Sequence, residues 1–200
     1  MTTATATDTM IAEAPREPAR GGYPATAIIL HWMSAVLVLA LFVSGVLMKQ
    51  FSDGPQADAL YTFHKTAGFS LFCLVLVRMA ARIVLMASGR WRRGAGMRWV
   101  HGVLYLGLVA VPLLGWAGVS DFGARTIYFG WSLPQIWPEG AGFSGVLLAS
   151  HGWLAFGLLA LVIVHIGLAL GDYVHRGAAG LAEAGDAAEA ATSLSRPPVP

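Results

Sequence analysis

Six histidines punctuate this chain of 200 residues, and four of them, His31, His64, His151 and His165, fall within or at the mouth of long apolar runs. An ionisable ring in such a run is costly and usually functional, and a neutral imidazole keeps a lone pair for a metal. His151 and His165 share one run and are fourteen residues apart. At about 100° and 1.5 Å per residue, a helix puts them on nearly the same face and about 21 Å apart. A zinc or copper site needs several ligands converging at one depth, so these two residues cannot belong to one such site. Each requires a partner on another helix.

The elements that position them follow from composition. With 56% hydrophobic residues, 12% charged ones and a mean hydropathy of +0.63, the chain lies outside the soluble range. The net charge is only +2 and the arginines gather in one loop, which excludes nucleic acid as a partner. The single cysteine, Cys73, sits in an apolar run. It can form no intrachain disulfide and no thiolate cluster, and reads as a small packing residue.

Apolar stretches at about 25–48, 65–87, 99–119 and 146–171 are each near the roughly 20 residues that a 30 Å hydrocarbon core demands. The expected fold is all-α: an integral membrane four-helix bundle. Residues 25–175 form the transmembrane domain, and 1–24 and 176–200, rich in Ala, Thr, Glu, Ser and Pro, are predicted to be disordered tails. The first run is too long for a signal-peptide core and is expected to be retained.

Lys and Arg set the orientation. Arg90, Arg92, Arg93 and Arg98 lie between the second and third runs, with Arg16 and Arg20 before the first; the opposite loops carry Lys49, Lys65 and Arg125. Both termini are therefore predicted to be cytoplasmic. The 119–145 segment, with Tyr128, Trp131, Pro134, Trp137 and Pro138, suits an ordered cap at the outer interface, where aromatic rings are favoured.

This topology pairs the histidines by depth. His64 and His151 fall at the outer end, His31 and His165 at the inner one. Bis-histidine ligation of two stacked haems explains all four positions together, because each planar macrocycle takes two axial nitrogens from opposite sides of a bundle interior. His101, at the start of the third helix, competes with His31 by depth alone, and is also a candidate for a quinone site. His175 is expected to be solvated. Arg78, fourteen residues after His64, falls on nearly the same face at the depth of His165. Its guanidinium suits a haem propionate or a quinone carbonyl, or else snorkels to headgroups. Arg82, a turn further in, has the same choice between a propionate and the headgroups. Gly45, Gly68, Gly152 and Gly157 lie where a small residue admits either a flat ring or a neighbouring helix.

Taken together, Leu30-His31-Trp32, His64-Lys65-Thr66-Ala67-Gly68, Val77-Arg78 through Arg82, His101 with Pro112, and His151 with His165 resemble the bacterial cytochrome b561 family of four-helix di-haem membrane cytochromes. The likeness spans about 25 to 175. It implies two haems b held by the four histidines as iron ligands, ubiquinone as the inner redox partner, and a place in the bacterial inner membrane. Family members are assigned superoxide oxidation at the outer face with electrons passed to ubiquinone, a superoxide:ubiquinone oxidoreductase activity. Others oxidise quinol for a periplasmic carrier, and related subunits anchor nickel hydrogenases but carry an additional helix. For the superoxide activity the outer charge balance is unhelpful: Lys49, Lys65 and Arg125 face Asp53, Asp58, Asp121 and Glu139. Only Lys65, next to His64, offers a local positive funnel.

Overall fold

The computed structural model describes residues 25–51, 53–87 and 98–194. Helices α1 (Ala25–Leu47), α2 (Pro55–Ala87), α3 (Arg98–Phe122) and α4 (Ser144–Leu194) are each long and apolar enough to cross a membrane. Their outward faces carry Ile29, Val36, Val77, Leu106, Trp153 and Ile163, all exposed. A bundle this apolar on the outside has lipid as its solvent. The chain is an all-α membrane bundle.

Two boundaries differ from the sequence expectation. α2 begins ten residues before 65, at Pro55, so His64 stands more than two turns inside the helix instead of opening it. Pro55 takes the first helical position, where a missing N–H costs nothing, and Asp58 lies in the first turn against the positive end of the helix dipole. α4 runs to Leu194, so residues 176–194, expected within a disordered tail, are helical. Ala fills eight of its nineteen positions and the next proline along the chain is Pro197, so local helix propensity carries the stretch despite Gly177, Gly180 and Gly185. An ion pair between Asp172 and Arg176 spans one turn of it. The expected tail 1–24 and the arginines Arg90, Arg92 and Arg93 lie outside the described residues.

α1 packs along α2, α3 along α4, and α2 joins the two pairs through α3. The mid-bundle core is Leu71 and Val75 of α2 with Leu108 of α3, flanked by Leu37, Leu41 and Leu158. Between α1 and α4 the contact includes an edge-to-face pair, Phe42 on Phe156, with centroids 5.3 Å apart. We call the ends of the bundle the loop end, where the 123–143 segment lies, and the arginine end, where Arg78 and Arg82 lie.

The 123–143 segment is an ordered cap. Ile127 and Leu133 are buried beneath it. Ile127 N donates to Trp131 O (2.8 Å) and Leu133 N to Arg125 O (3.0 Å). Trp116 Nε1 of α3 donates to Pro134 O at 2.9 Å. Asp121, 4% exposed, accepts from the backbone N of Ser144 and so caps the start of α4 with a carboxylate from α3. Gly123 has φ 84°, and a Cβ there would stand 2.7 Å from Glu139 Oε1, so this turn needs glycine.

Candidate functional site

At the loop end α2 presents His64 and α4 presents His151, with ring centroids 5.9 Å apart and planes at 85°. Each ring is fixed by its Nδ1. His151 Nδ1 lies 2.8 Å from Val111 O of α3; a carbonyl only accepts, so Nδ1 carries the proton and Nε2 keeps the lone pair. His64 Nδ1 lies 3.1 Å from Ser44 Oγ. The one hydroxyl proton of Ser44 goes to Leu41 O at 3.1 Å, so Ser44 accepts from His64 and again leaves Nε2 bare. Two glycines allow these close approaches. A Cβ at Gly115 would stand 3.0 Å from His151 Nδ1, and one at Gly45 would stand 3.1 Å from His64 Cε1. Beside both rings lies an apolar cavity, partly open to the surroundings, lined by Val38, Phe42, Leu71, Leu108, Pro112 and Leu158 among others.

At the arginine end α1 presents His31 and α4 presents His165, 6.3 Å apart with planes at 70°. Arg78 of α2 donates from Nη2 to His31 Nδ1 at 3.2 Å. A guanidinium only donates, so Nδ1 of His31 is an acceptor here, the reverse of its loop-end counterparts. His165 Nδ1 is buried with no hydrogen-bond partner among the described residues. Tyr105 of α3 lies under both cations, its centroid 5.8 Å from Arg78 and 5.4 Å from Arg82. Both arginines thus line the same end of the bundle as His31 and His165. His101 meets His165 edge-on at 5.1 Å.

Two imidazoles bound to one metal at roughly 2.0 Å per bond hold their centroids about 6 Å apart. The His64–His151 and His31–His165 separations match that figure for rings on opposite sides of an ion, and the His101–His165 contact is shorter than it. Among the described residues no group of three or more His, Cys, Asp or Glu is placed to hold a metal ion. What remains is two pairs of imidazoles, about 21 Å apart along α4, with an apolar cavity at one pair and cations at the other. That donor set fits haem: two axial imidazoles per iron, apolar walls for the ring and guanidinium groups for propionates.

The structure thus brings His64 to His151, and His31 to His165 with Arg78, Arg82 and His101 alongside. Gly45 meets a ring. Gly68 lines the loop-end cavity with His64 and His151 and makes an ordinary 3.8 Å contact with Leu41, and Gly152 and Gly157 have nothing within 4 Å. His175 is exposed. Lys65 does not stand free beside His64: its Nζ donates to Ala124 O at 2.9 Å and ties the cap to α2. Sequence reasoning missed Ser44, Gly115 and the Val111 carbonyl. No distinct sequence sign marks them: Gly115 is one of four glycines in α3, with Gly102, Gly107 and Gly118.

Comparison with known proteins gives the family. The family model for prokaryotic cytochrome b561 matches residues 22–176. A relative from Escherichia coli (strain K12), cytochrome b561 homolog 2, is 28% identical over 156 residues, covering 74% of this chain and 82% of the relative. Cytochrome b562 of Cereibacter sphaeroides is 32% identical over 116 residues, covering 52% of this chain and 72% of that protein. A family match over three-quarters of the chain, on a membrane bundle with paired histidines, settles the assignment: the chain belongs to the prokaryotic cytochrome b561 family, and is a multi-pass membrane electron carrier that binds haem b.

Proposed function

We propose that the chain holds two haems b, one between His64 and His151 and one between His31 and His165, and carries electrons between a partner at the loop end and ubiquinone at the arginine end. The observation that carries this reading is the pair of ring separations, 5.9 and 6.3 Å, at two depths on one bundle. The positive-inside rule supports placing the loop end outside and both termini in the cytoplasm of a bacterial inner membrane. Superoxide or a periplasmic redox protein then meets the loop end.

Haem b supplies one-electron exchange between ferric and ferrous iron. The residues supply the rest. Val111 O and Ser44 hold the loop-end imidazoles in one tautomer, and Leu71, Leu108 and Leu158 keep water from the space beside them. Arg78 and Arg82 provide the donors that a propionate or a quinone carbonyl requires, and His101 stands in the same group as a further quinone contact. With Lys65 tied to the cap, the ammonium beside His64 is not free to steer an anion, so selectivity for superoxide would rest on close approach more than on a long-range field.

The purified protein is expected to carry two haems per chain, low-spin and six-coordinate, all extractable by acid acetone because no Cys-x-x-Cys-His stretch exists in the sequence. Quantitation of the pyridine haemochrome against protein by amino-acid analysis checks this. A ratio near one sinks the two-pair scheme.

A further inference from the structure

The two histidine pairs are held by partners of opposite kind. At the loop end both Nδ1 atoms face oxygen acceptors, Val111 O at 2.8 Å and Ser44 Oγ at 3.1 Å. Ser44 is 4% exposed, so its hydroxyl acts where the dielectric is low. At the arginine end the Nδ1 of His31 faces a donor, the guanidinium of Arg78 at 3.2 Å, and that of His165 faces no acceptor among the described residues.

We propose that Ser44 and Arg78 are positioning residues that set the two haem sites to opposite electronic character, the loop-end haem taking the lower potential and the arginine-end haem the higher. The inference rests on the two-haem reading. An imidazole that donates its distal N–H to an acceptor becomes a more basic ligand, and a more basic ligand favours ferric iron. A cation near the other iron does the reverse, because it opposes the extra positive charge of the ferric state. For His31 to bind iron through Nε2 as a neutral imidazole, its proton must move to Nδ1, and the guanidinium must then leave that lone pair. The charge stays close all the same, because Arg78 and Arg82 both pack over the Tyr105 ring.

Other charges do not cancel this asymmetry: at the loop end Lys49, Asp53 and Asp58 are exposed, where solvent screens them. Lys65, next to His64, turns its ammonium to Ala124 O in the cap. Arg125 is paired with Glu139 at 3.6 Å, and the cap also buries the Asp121 carboxylate. At the arginine end the described acid on α4 nearest His165, Asp172, is paired with Arg176. The consequence is a direction: one electron leaving a ferrous loop-end iron, which becomes ferric, reduces a ferric arginine-end iron to ferrous on a downhill path, and no proton need move with it.

Equilibrium redox titration of the full-length holoprotein, followed in the haem absorption bands, tests this. The His151→Ala and His165→Ala variants assign each component to its end. The wild type should titrate in two steps with the loop-end haem lower. Ser44→Ala should raise the loop-end potential and leave the other step in place, and Ser44→Thr, which keeps a hydroxyl, should restore it. Arg78→Leu should lower the arginine-end potential, with Arg78→Lys intermediate because the charge remains and the planar fork is lost. Two haems titrating in the inverted order, or a Ser44→Ala shift that is downward or absent, overturns the inference while leaving the two-haem reading standing. A protein with one haem or none overturns that reading instead. Should Ser44→Ala release the loop-end haem, the order in the wild type still decides.

Discussion

His165→Ala is expected to halve the haem content, from about two per chain to about one, and to abolish quinone turnover while reduction by an outer donor persists. His165 is the α4 member of the arginine-end pair, 6.3 Å from His31, and an alanine there leaves one side of that iron without a nitrogen. His64 and His151 lie about 21 Å away along α4, with their own partners in Ser44 and Val111, so nothing in the loop-end site depends on the lost ring. An electron can enter there but has no route onward. The mirror variant, His151→Ala, should keep a haem that quinol reduces and that the outer donor cannot reach. Haem quantitation, optical difference spectra and paired assays with superoxide and with quinol read all four outcomes. Loss of both haems from either variant with the helices intact, or reduction by quinol of the loop-end haem alone, would show that the two levels are not the wire their spacing implies. His101 is the built-in competitor: if it takes over as a ligand, His31→Ala rather than His165→Ala will be the variant that keeps its second haem.

The positions of the histidines were legible because helical periodicity is rigid. Fourteen residues on α4, and fourteen on α2 between His64 and Arg78, translate into depth and face with little freedom, and the loop arginines fix which ends align. His31, Arg78 and His165 accordingly meet in the structure. Partners that hold the rings were not legible. Val111 acts through its backbone carbonyl, which any residue would supply, and the choice of that carbonyl depends on how α3 lies against α4. Ser44 looks like any serine that bonds back to its own helix, as Ser34 does to Leu30 O at 2.8 Å; only the arrival of His64 from α2 gives it a second task. The α4 extension was missed for a different reason. Its Ala, Gly and Glu content resembles a solvated tail, and composition alone does not distinguish a tail from an isolated helix of strong formers. α2 began early because Pro55 reads equally as a loop residue and as a first helical residue.

Gly115→Val is expected to remove the loop-end haem as completely as His151→Ala does, without harming the bundle. The α3 backbone at Gly115 lies so close to the His151 ring that an added Cβ would stand 3.0 Å from Nδ1 and 3.1 Å from Cε1. Two branches on that carbon must push the ring away, and the 2.8 Å hydrogen bond from Nδ1 to Val111 O is lost with it. The imidazole then loses both its tautomer and its aim, and metal ligands deprived of such a partner typically lose affinity by roughly 10–100-fold before any steric term is added. Helix stability moves the other way, since glycine in a helix interior costs about 1 kcal/mol relative to alanine. Gly115→Ala should therefore keep or raise the melting temperature of the apoprotein while weakening loop-end haem retention, a combination that general misfolding cannot produce. Gly102, on the same helix with nothing within 4 Å of a new Cβ, supplies the control: Gly102→Ala should gain the helix term and keep both haems. Gly107 adds a graded case, because its Cβ would meet only Leu158 Cδ1 at 2.9 Å, the tip of a side chain that can rotate. Haem retention during dialysis against apomyoglobin, measured beside thermal unfolding by circular dichroism, separates the two effects. If Gly115→Val retains two haems with an unaltered spectrum, the loop-end ring does not rest on α3, and the roles given to Gly115 and Val111 fall together.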